Sequence, residues 1–235
     1  MKDPFFCKNF LNFYKLHTIQ TESFLYPFLL INYKGNFSIS SLGYQGILIK
    51  KDYSDNDLKD FYNLREKFIK ENNIVCEFIR YNPFLKVKFF ENRVEASEFY
   101  IIDVINTPGD YFKSLPQRAK SSIKKNLSLL TIKQKIDFDT AKNFLNYRNE
   151  FFYDEKSLKK LLNSSFSLTL SAFYKDRCLA TSLFFYSDDF SYYIANYSTP
   201  EGKKFSANTL ILLKFYEFAY EKGIKSIGLG GGHGW

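Results

Sequence analysis

Histidine, tryptophan and cysteine are scarce in this chain: 235 residues include two His, one Trp and three Cys. His17 and His233 stand far apart, and no Ser-His-Asp set, P-loop or glycosidase-type carboxylate pair accompanies them. Cys7, Cys76 and Cys178 are widely separated in apolar surroundings, without a C-x-x-C or Cys/His cluster. That spacing argues against both a disulfide framework and a zinc site, so no metal is expected. Long apolar runs are also missing. The longest, FLYPFLLI (24–31), falls far short of the roughly 20 residues that span a bilayer. The start, MKDPFFCKNFLNF, carries an acid at position 3 and a proline at position 4 and lacks the apolar segment of a signal peptide, so the cytoplasm is the expected location.

What the chain has in quantity is aromatic residues, 27 Phe and 18 Tyr, within a 45% hydrophobic composition. This is a folding composition, sufficient for one large core or two cores of roughly 100 residues each. Lys and Arg total 33 against 25 Asp and Glu, a net charge of +8 that favours anionic partners such as phosphates, nucleotides or RNA. Translation of an AT-rich genome yields the same Lys-, Asn-, Ile- and Phe-rich usage, and composition alone does not separate the two origins.

The C-terminal half reads clearly. SLTLSAFY (167–174) alternates apolar and small polar residues, KDR makes a turn, CLATSLFFY follows, and SDD leads into FSYYIANYS, which predicts three consecutive antiparallel strands. A loop, TPEGKKF, then precedes a helix over TLILLKFYEFAYEK, capped by Ser206 or Asn208 and ended by Gly223. IKSIGL predicts a short buried strand placed centrally in the sheet, beside FSYYIANYS or its neighbour, with Ile227 inside. The N-terminal half follows the same outline. FLYPFLLINY and FSISSLGYQGILI are β-rich around a KGN turn, DNDLKDFYNLREKFIKENN is an amphipathic helix, and IVCEFIRY is a strand. His17 sits in an aromatic, helix-like segment, where packing is the expected role.

Between the halves, SLPQRAKSSIKKNLSLL starts with Ser114 and has Gln117 three residues on, a capping-box pattern with Pro116 in the first turn. One helix is expected, with Ala119, Ile123, Leu127 and Leu130 as its apolar stripe. Arg118 and Lys125 flank that stripe on one side and Lys120 and Lys124 on the other, as a solvated face or an anion-binding one. Glu77 and Arg80, three apart in a strand, point to opposite faces, and pairing of Glu77 with a nearby cation is one expected role.

Four stretches in order, LGYQGILI (42–49), CEFIRYNPF (76–84), LPQRAKSSIKKN (115–126) and GIKSIGLGGG (223–232), resemble the Fem-type (FemAB-like) acyltransferases of GNAT fold. Members of that family transfer amino acids from aminoacyl-tRNA to cell-wall precursors. The resemblance covers nearly the whole chain. It implies an α+β fold of two GNAT-like subdomains, each a mainly antiparallel mixed sheet with flanking helices, with boundaries expected at 1–112 and 113–235. It also implies that the strand end at 80–82 and the loop holding Tyr44 face the acceptor, so Tyr44, Arg80, Asn82, Arg118, Lys124 and Lys125 are the acceptor candidates. In a GNAT-like fold the strand after the meander splays from its neighbour, and the following loop and helix N-terminus offer N–H groups to a phosphate. Here that assigns the donor side to Gly202, Lys203, Lys204, Ser206 and Asn208. The loop lacks the Q/R-x-x-G-x-G/A pattern that grips coenzyme A, so the implied donor is either acyl-CoA or aminoacyl-tRNA, with no tightly bound cofactor.

The implied activity is transfer of an acyl or aminoacyl group to an amine of an anionic small-molecule or glycan-precursor acceptor, for peptidoglycan or another surface polysaccharide in bacterial cell-envelope biogenesis. tRNA is an expected partner in the aminoacyl case. Family members continue past the glycine triplet with a segment ending in a Phe-Lys pair, whereas this sequence has HGW. A slipped reading frame in a guanine tract, a short family member and a trimmed chain are the alternatives, and on the first His233 has no catalytic meaning. A non-catalytic binding module or inactive truncated product is therefore the rival reading. RNA binding by the basic helix is a third, with no RNA-binding motif beside it.

Overall fold

A computed structural model describes residues 3–84, 99–134, 138–145 and 155–231. The chain divides into two compact units, Phe5–Ala96 and Ser97–Trp235, the second also taking in Lys2–Pro4.

The first unit contains α1 (Lys8–Tyr14), β1 (His17–Gln20), β2 (Phe24–Tyr33), β3 (Asn36–Ser40), β4 (Leu48–Ile49), α2 (Asp55–Glu71) and β5 (Ile74–Phe78). Its strands run in the order β1-β2-β3-β5, with β4 also on β2. The KGN turn closes the β2–β3 hairpin with Lys34 and Gly35 both at positive φ, 52° and 87°, as a two-residue hairpin turn demands. Ser54 opens α2 with a capping box: its hydroxyl accepts from Asp57 N–H while the Asp57 carboxylate accepts from Ser54 N–H. The helix then crosses over so that β5 lies parallel to β3. Phe24, Tyr26, Phe28, Ile39 and Phe61 form the fully buried centre of this unit. His17 is on an exposed strand, not a helix, and stacks on Phe28 at 5.9 Å between ring centroids. Packing is its observed role.

The second unit contains β6 (Phe99–Asp103), α3 (Pro108–Ser114), α4 (Gln117–Asn126), β7 (Leu130–Gln134), α5 (Phe138–Leu145), α6 (Glu155–Leu162), β8 (Ser167–Tyr174), β9 (Arg177–Tyr186), β10 (Phe190–Ser198), α7 (Pro200–Lys204), α8 (Ala207–Lys222) and β11 (Ser226–Gly231). The strand order is β6-β11-β10-β9-β8-β7. The β8–β9–β10 meander is antiparallel, as its alternation predicts. β11 is inserted between β10, to which it is parallel, and β6, to which it is antiparallel, and Ile227 is fully buried. Each unit thus contains one parallel crossover through a helix, β3–α2–β5 and β10–α8–β11.

Burial explains why α8 is the keystone of the second unit. Leu210, Ile211, Phe215, Tyr216 and Ala219 are all buried, with Leu168, Leu170, Ala172 and Phe184 of the sheet in the same cluster. Phe215 stacks on Phe184 at 3.7 Å and Tyr216 on Tyr111 of α3 at 3.9 Å, both nearly parallel. Gly223 ends α8 at φ 72°, as predicted. Opposite faces of the meander carry different chemistry. Ser171 and Thr181, at positions alternating with the leucines, share a buried hydrogen bond of 2.8 Å.

Three local expectations are corrected. Ser114 does not cap a helix: it is the last residue of α3, and α4 starts after Pro116 without a side-chain cap. The leucine stripe breaks too, since α4 stops at Asn126, Leu127 is 60% exposed and Leu130 already belongs to β7. Finally, TPEGKKF is not a plain loop, because Thr199 caps a short helix by accepting from Gly202 N–H at 2.9 Å.

Candidate functional site

The β10–β11 ladder is short. It pairs Phe190 with Ser226, Ser191 with Ile227 and Tyr192 with Gly228, and there it ends, while β10 continues to Ser198. β11 meanwhile stays with β6 through Gly231, across an irregularity between Gly228 and Gly230. Glycine is required here for two different reasons. A Cβ on Gly228 would lie 2.8 Å from the Phe99 ring and 3.1 Å from Tyr192, and Gly230 sits at φ 89°. The first glycine therefore makes room for aromatic packing, a structural purpose the glycine run did not announce. Gly232–Trp235, including His233, lie outside the described residues.

The start of α8 meets β10 at Asn196, four residues past the last pair of the ladder. Its N-cap Ser206 has φ 53° and makes no side-chain cap, so the first turn of a 16-residue helix is left without the hydroxyl that usually covers it. The Ser206 hydroxyl instead meets Ser122 of α4 at 2.6 Å, and Asn126 Nδ2 donates to Ser122 Oγ at 3.4 Å. Ser122 and Asn126 escape sequence reasoning; the available signal is two polar residues at i, i+4 beside Ile123, on the flank that turns inward. On the next residue but one, Asn208 Nδ2 donates to Asn196 Oδ1 of β10 at 3.1 Å, which leaves Asn208 Oδ1 buried without a hydrogen-bond partner. A buried acceptor of this kind requires an explanation.

The donor candidates thus separate. Ser206 and Asn208 stand at the head of α8. Lys203 and Lys204 are exposed in the last turn of α7. Gly202 is buried: a Cβ there would meet the Leu179 carbonyl oxygen at 2.4 Å and Ser198 Oγ at 2.6 Å. It lets α7 approach β9.

The acceptor candidates fall in two groups, one in each unit. In the first unit, the Tyr44 loop packs against the chain after β5. A Cβ on Gly46 would lie 3.2 Å from the backbone of Tyr81 and Asn82, and Arg80 N–H donates to Ser41 Oγ at 3.1 Å. Tyr44 is half-buried between Gly43 and Gly46, both at positive φ. Asn82 is buried and its side-chain Oδ1 accepts from Phe84 N–H at 2.9 Å. Arg80 lies past the end of β5, not within it, with its guanidinium 5.8 Å from the Phe78 ring. Glu77 is held by Arg65, which donates Nε to Oε1 at 3.1 Å and Nη2 to Oε2, and by the Tyr26 hydroxyl at 2.9 Å. The expected structural pairing is therefore observed. In the second unit Arg118, Lys124 and Lys125 are exposed on α4, the helix tied to Ser206 by Ser122.

Burial pushes the Tyr193 hydroxyl, on β10, up to about 12, with a weak opposing hydrogen bond from Ser182 Oγ. It is neutral at physiological pH and is no proton acceptor there. Among the described residues no three His, Cys, Asp or Glu side chains gather as a metal site, and no helix is long and apolar enough to cross a membrane.

Neither a family model nor a curated protein matches the sequence. Solved structures do. FemX superposes with a TM-score of 0.69 over 98% of this chain and 84% of its own, at 12% identity. The C-terminal domain of a protein described as a lysylphosphatidylglycerol synthetase, from Agrobacterium fabrum, gives 0.60 over 95% and 73%, at 11% identity. A protein of unknown function from Bacteroides thetaiotaomicron gives 0.59 over 97% and 80%, also at 11%. The fold is accordingly the Fem-like one, with two GNAT-like subdomains in an α+β architecture.

Proposed function

We propose that this chain is an acyltransferase or aminoacyltransferase that acts on an amino group of an anionic cell-wall or surface-polysaccharide precursor. The observation that carries the reading is that β10 runs on past the end of its ladder with β11 at Tyr192–Gly228, and there, at Asn196, meets an α8 N-terminus that its own N-cap hydroxyl does not cover. The fold shared with FemX supports it as analogy.

Transfer of an acyl group to an amine needs little from a protein. The amine lone pair attacks the donor carbonyl, the oxyanion must meet hydrogen-bond donors, the leaving group departs with the electron pair, and the amine proton must go to a base or to water. The head of α8 offers positive dipole and N–H groups to a donor phosphate. Asn208 Oδ1 offers an acceptor to an N–H of the donor, and Lys203, Lys204, Arg118, Lys124 and Lys125 supply the surrounding positive field. On this reading Tyr44, Arg80 and Asn82 shape the acceptor's place in the first unit.

Mass spectrometry of candidate amine-bearing precursors, incubated with the protein and either acyl-CoA pools or charged tRNA, tests the proposal and distinguishes the two donors. A mass gain on the precursor is expected in one arm. Precursor binding without any gain in either arm leaves the non-catalytic module as the correct reading.

A further inference from the structure

We propose a second ligand site, in the first unit, for an organic phosphate monoester: a groove of about 560 Å³ between α1 and the β1–β2 hairpin. The site is independent of the transfer reading. One face of α1 forms one wall, because Lys8, Leu11, Asn12 and Lys15 follow the i, i+3, i+4, i+7 spacing that stacks side chains along a helix. Thr18 and Gln20, two apart on β1 and so on one side of the strand, form the other. Leu25, paired with Gln20 in register, and Leu16 supply apolar lining.

The lining is chemically one-sided. It has two ammonium groups, two amides and a hydroxyl, with no carboxylate. Among the described residues the side chains of Lys8 and Lys15 take part in no ion pair or hydrogen bond, although four other lysines of this unit, Lys50, Lys51, Lys67 and Lys70, do. Lys15 is also held in place: it is the C-cap of α1 at φ 51°, and its N–H donates to the Asn12 and Leu11 carbonyls. That left-handed backbone costs a non-glycine residue about 1 kcal/mol or more, yet a cation occupies it at the groove's end. Two lysines match the two negative charges of a phosphate monoester, and Asn12, Gln20 and Thr18 provide donors for its third oxygen and its bridging atom. Leu11, between the lysines, provides the surface for the esterified group.

Calorimetric titration of the full chain with phenyl phosphate and with inorganic phosphate, at low and moderate salt, tests the site. Phenyl phosphate is expected to bind more tightly than inorganic phosphate and to weaken with salt. K8Q/K15Q, two exposed positions whose circular dichroism should be unchanged, is expected to raise the phenyl phosphate Kd at least tenfold. L11N is expected to erase the preference for the phenyl ester, and K156Q/K160Q, at exposed positions of α6, to leave the Kd within twofold. No binding of phenyl phosphate, an unchanged Kd in K8Q/K15Q, a preference that survives L11N, or a loss carried by K156Q/K160Q would each overturn the assignment.

Discussion

Gly202→Ala separates a glycine kept for packing from one kept for a ligand. A methyl at this position would stand 2.4 Å from the Leu179 carbonyl oxygen and 2.6 Å from Ser198 Oγ, where ordinary van der Waals contact begins near 3.4 Å. One of these neighbours is backbone and cannot rotate away. The Leu179 carbonyl already accepts from Thr199 N–H at 2.9 Å, and Thr199 caps α7, so relief requires α7 to lift off β9 and that hydrogen bond to stretch. Overpacking of this kind costs about 1–3 kcal/mol and a weakened hydrogen bond about 1 more, together roughly 2–4 kcal/mol. For a chain of this size the melting temperature should fall by about 4–16 °C. Gly109→Ala is the matched control, since its Cβ would find only Thr107 Oγ1, at 3.9 Å, and the position is helical. It should be neutral or slightly stabilising. Urea unfolding of both variants measures the difference at constant m-value. A Gly202→Ala protein within about 0.5 kcal/mol of the parent would refute the packing argument and return Gly202 to the ligand side.

Removing Glu77 should be costly, because the largely buried Arg65 and the fully buried Tyr26 would be left without their acceptor; Glu77→Ala is expected to lose about 3 kcal/mol in urea unfolding, and R65M/E77L to recover most of it. Asp57 and Asp110 are both held below the usual carboxylate range, first by the hydrogen bond from the cap side chain, Ser54 or Thr107. Their folded-state values lie below the unfolded ones, so the stabilisation is present above that range and is lost as pH falls through the folded values, below about pH 4. Ser54→Ala and Thr107→Ala should each flatten that acid limb in a pH series of melting temperatures, and an unchanged limb would remove the caps as its cause. At the head of α8, Asn208→Leu should abolish donor use in the transfer assay while retaining the fold, and an active variant would show that the unpartnered carbonyl has no part in donor binding.

The framework of both units was legible where alternation and turn chemistry agree. β8 starts and ends where SLTLSAFY does, the KGN turn takes its two positive φ angles, and Gly223 closes α8. Failures came where one local signal stood for two different structures. Ser114 and Gln117 have capping-box spacing, but Pro116 between them, which also suits the first turn of a helix, here separates two helices. Gly202, Gly228 and Gly230 look alike in sequence, although neighbours remote in the chain give the first two their purpose and a backbone angle gives the third its own. Of the site, the sequence showed the basic face of α4 and the polar start of α8. It did not show the Ser122–Ser206 contact that joins them, which spans 84 positions, nor the Tyr192 hydroxyl donating to buried Asp3, which spans 189.

The insertion of β11 between β6 and β10 also sets the order in which the second unit can be assembled as the chain emerges from the ribosome. Asp103 and Ser226, which face each other across the β6–β11 ladder, are 123 positions apart. At typical translation rates of about 5–20 residues per second, β6 waits at least several seconds before its neighbour exists, with Tyr100 and Ile101 on its strand and both backbone edges open to other chains. The β8–β10 meander and α8 can close behind it as local structure, and β11 then enters last, as a wedge between two edges already made. The fold is therefore a late-closing one, whose nascent form has a natural call on chaperones that bind exposed strand edges.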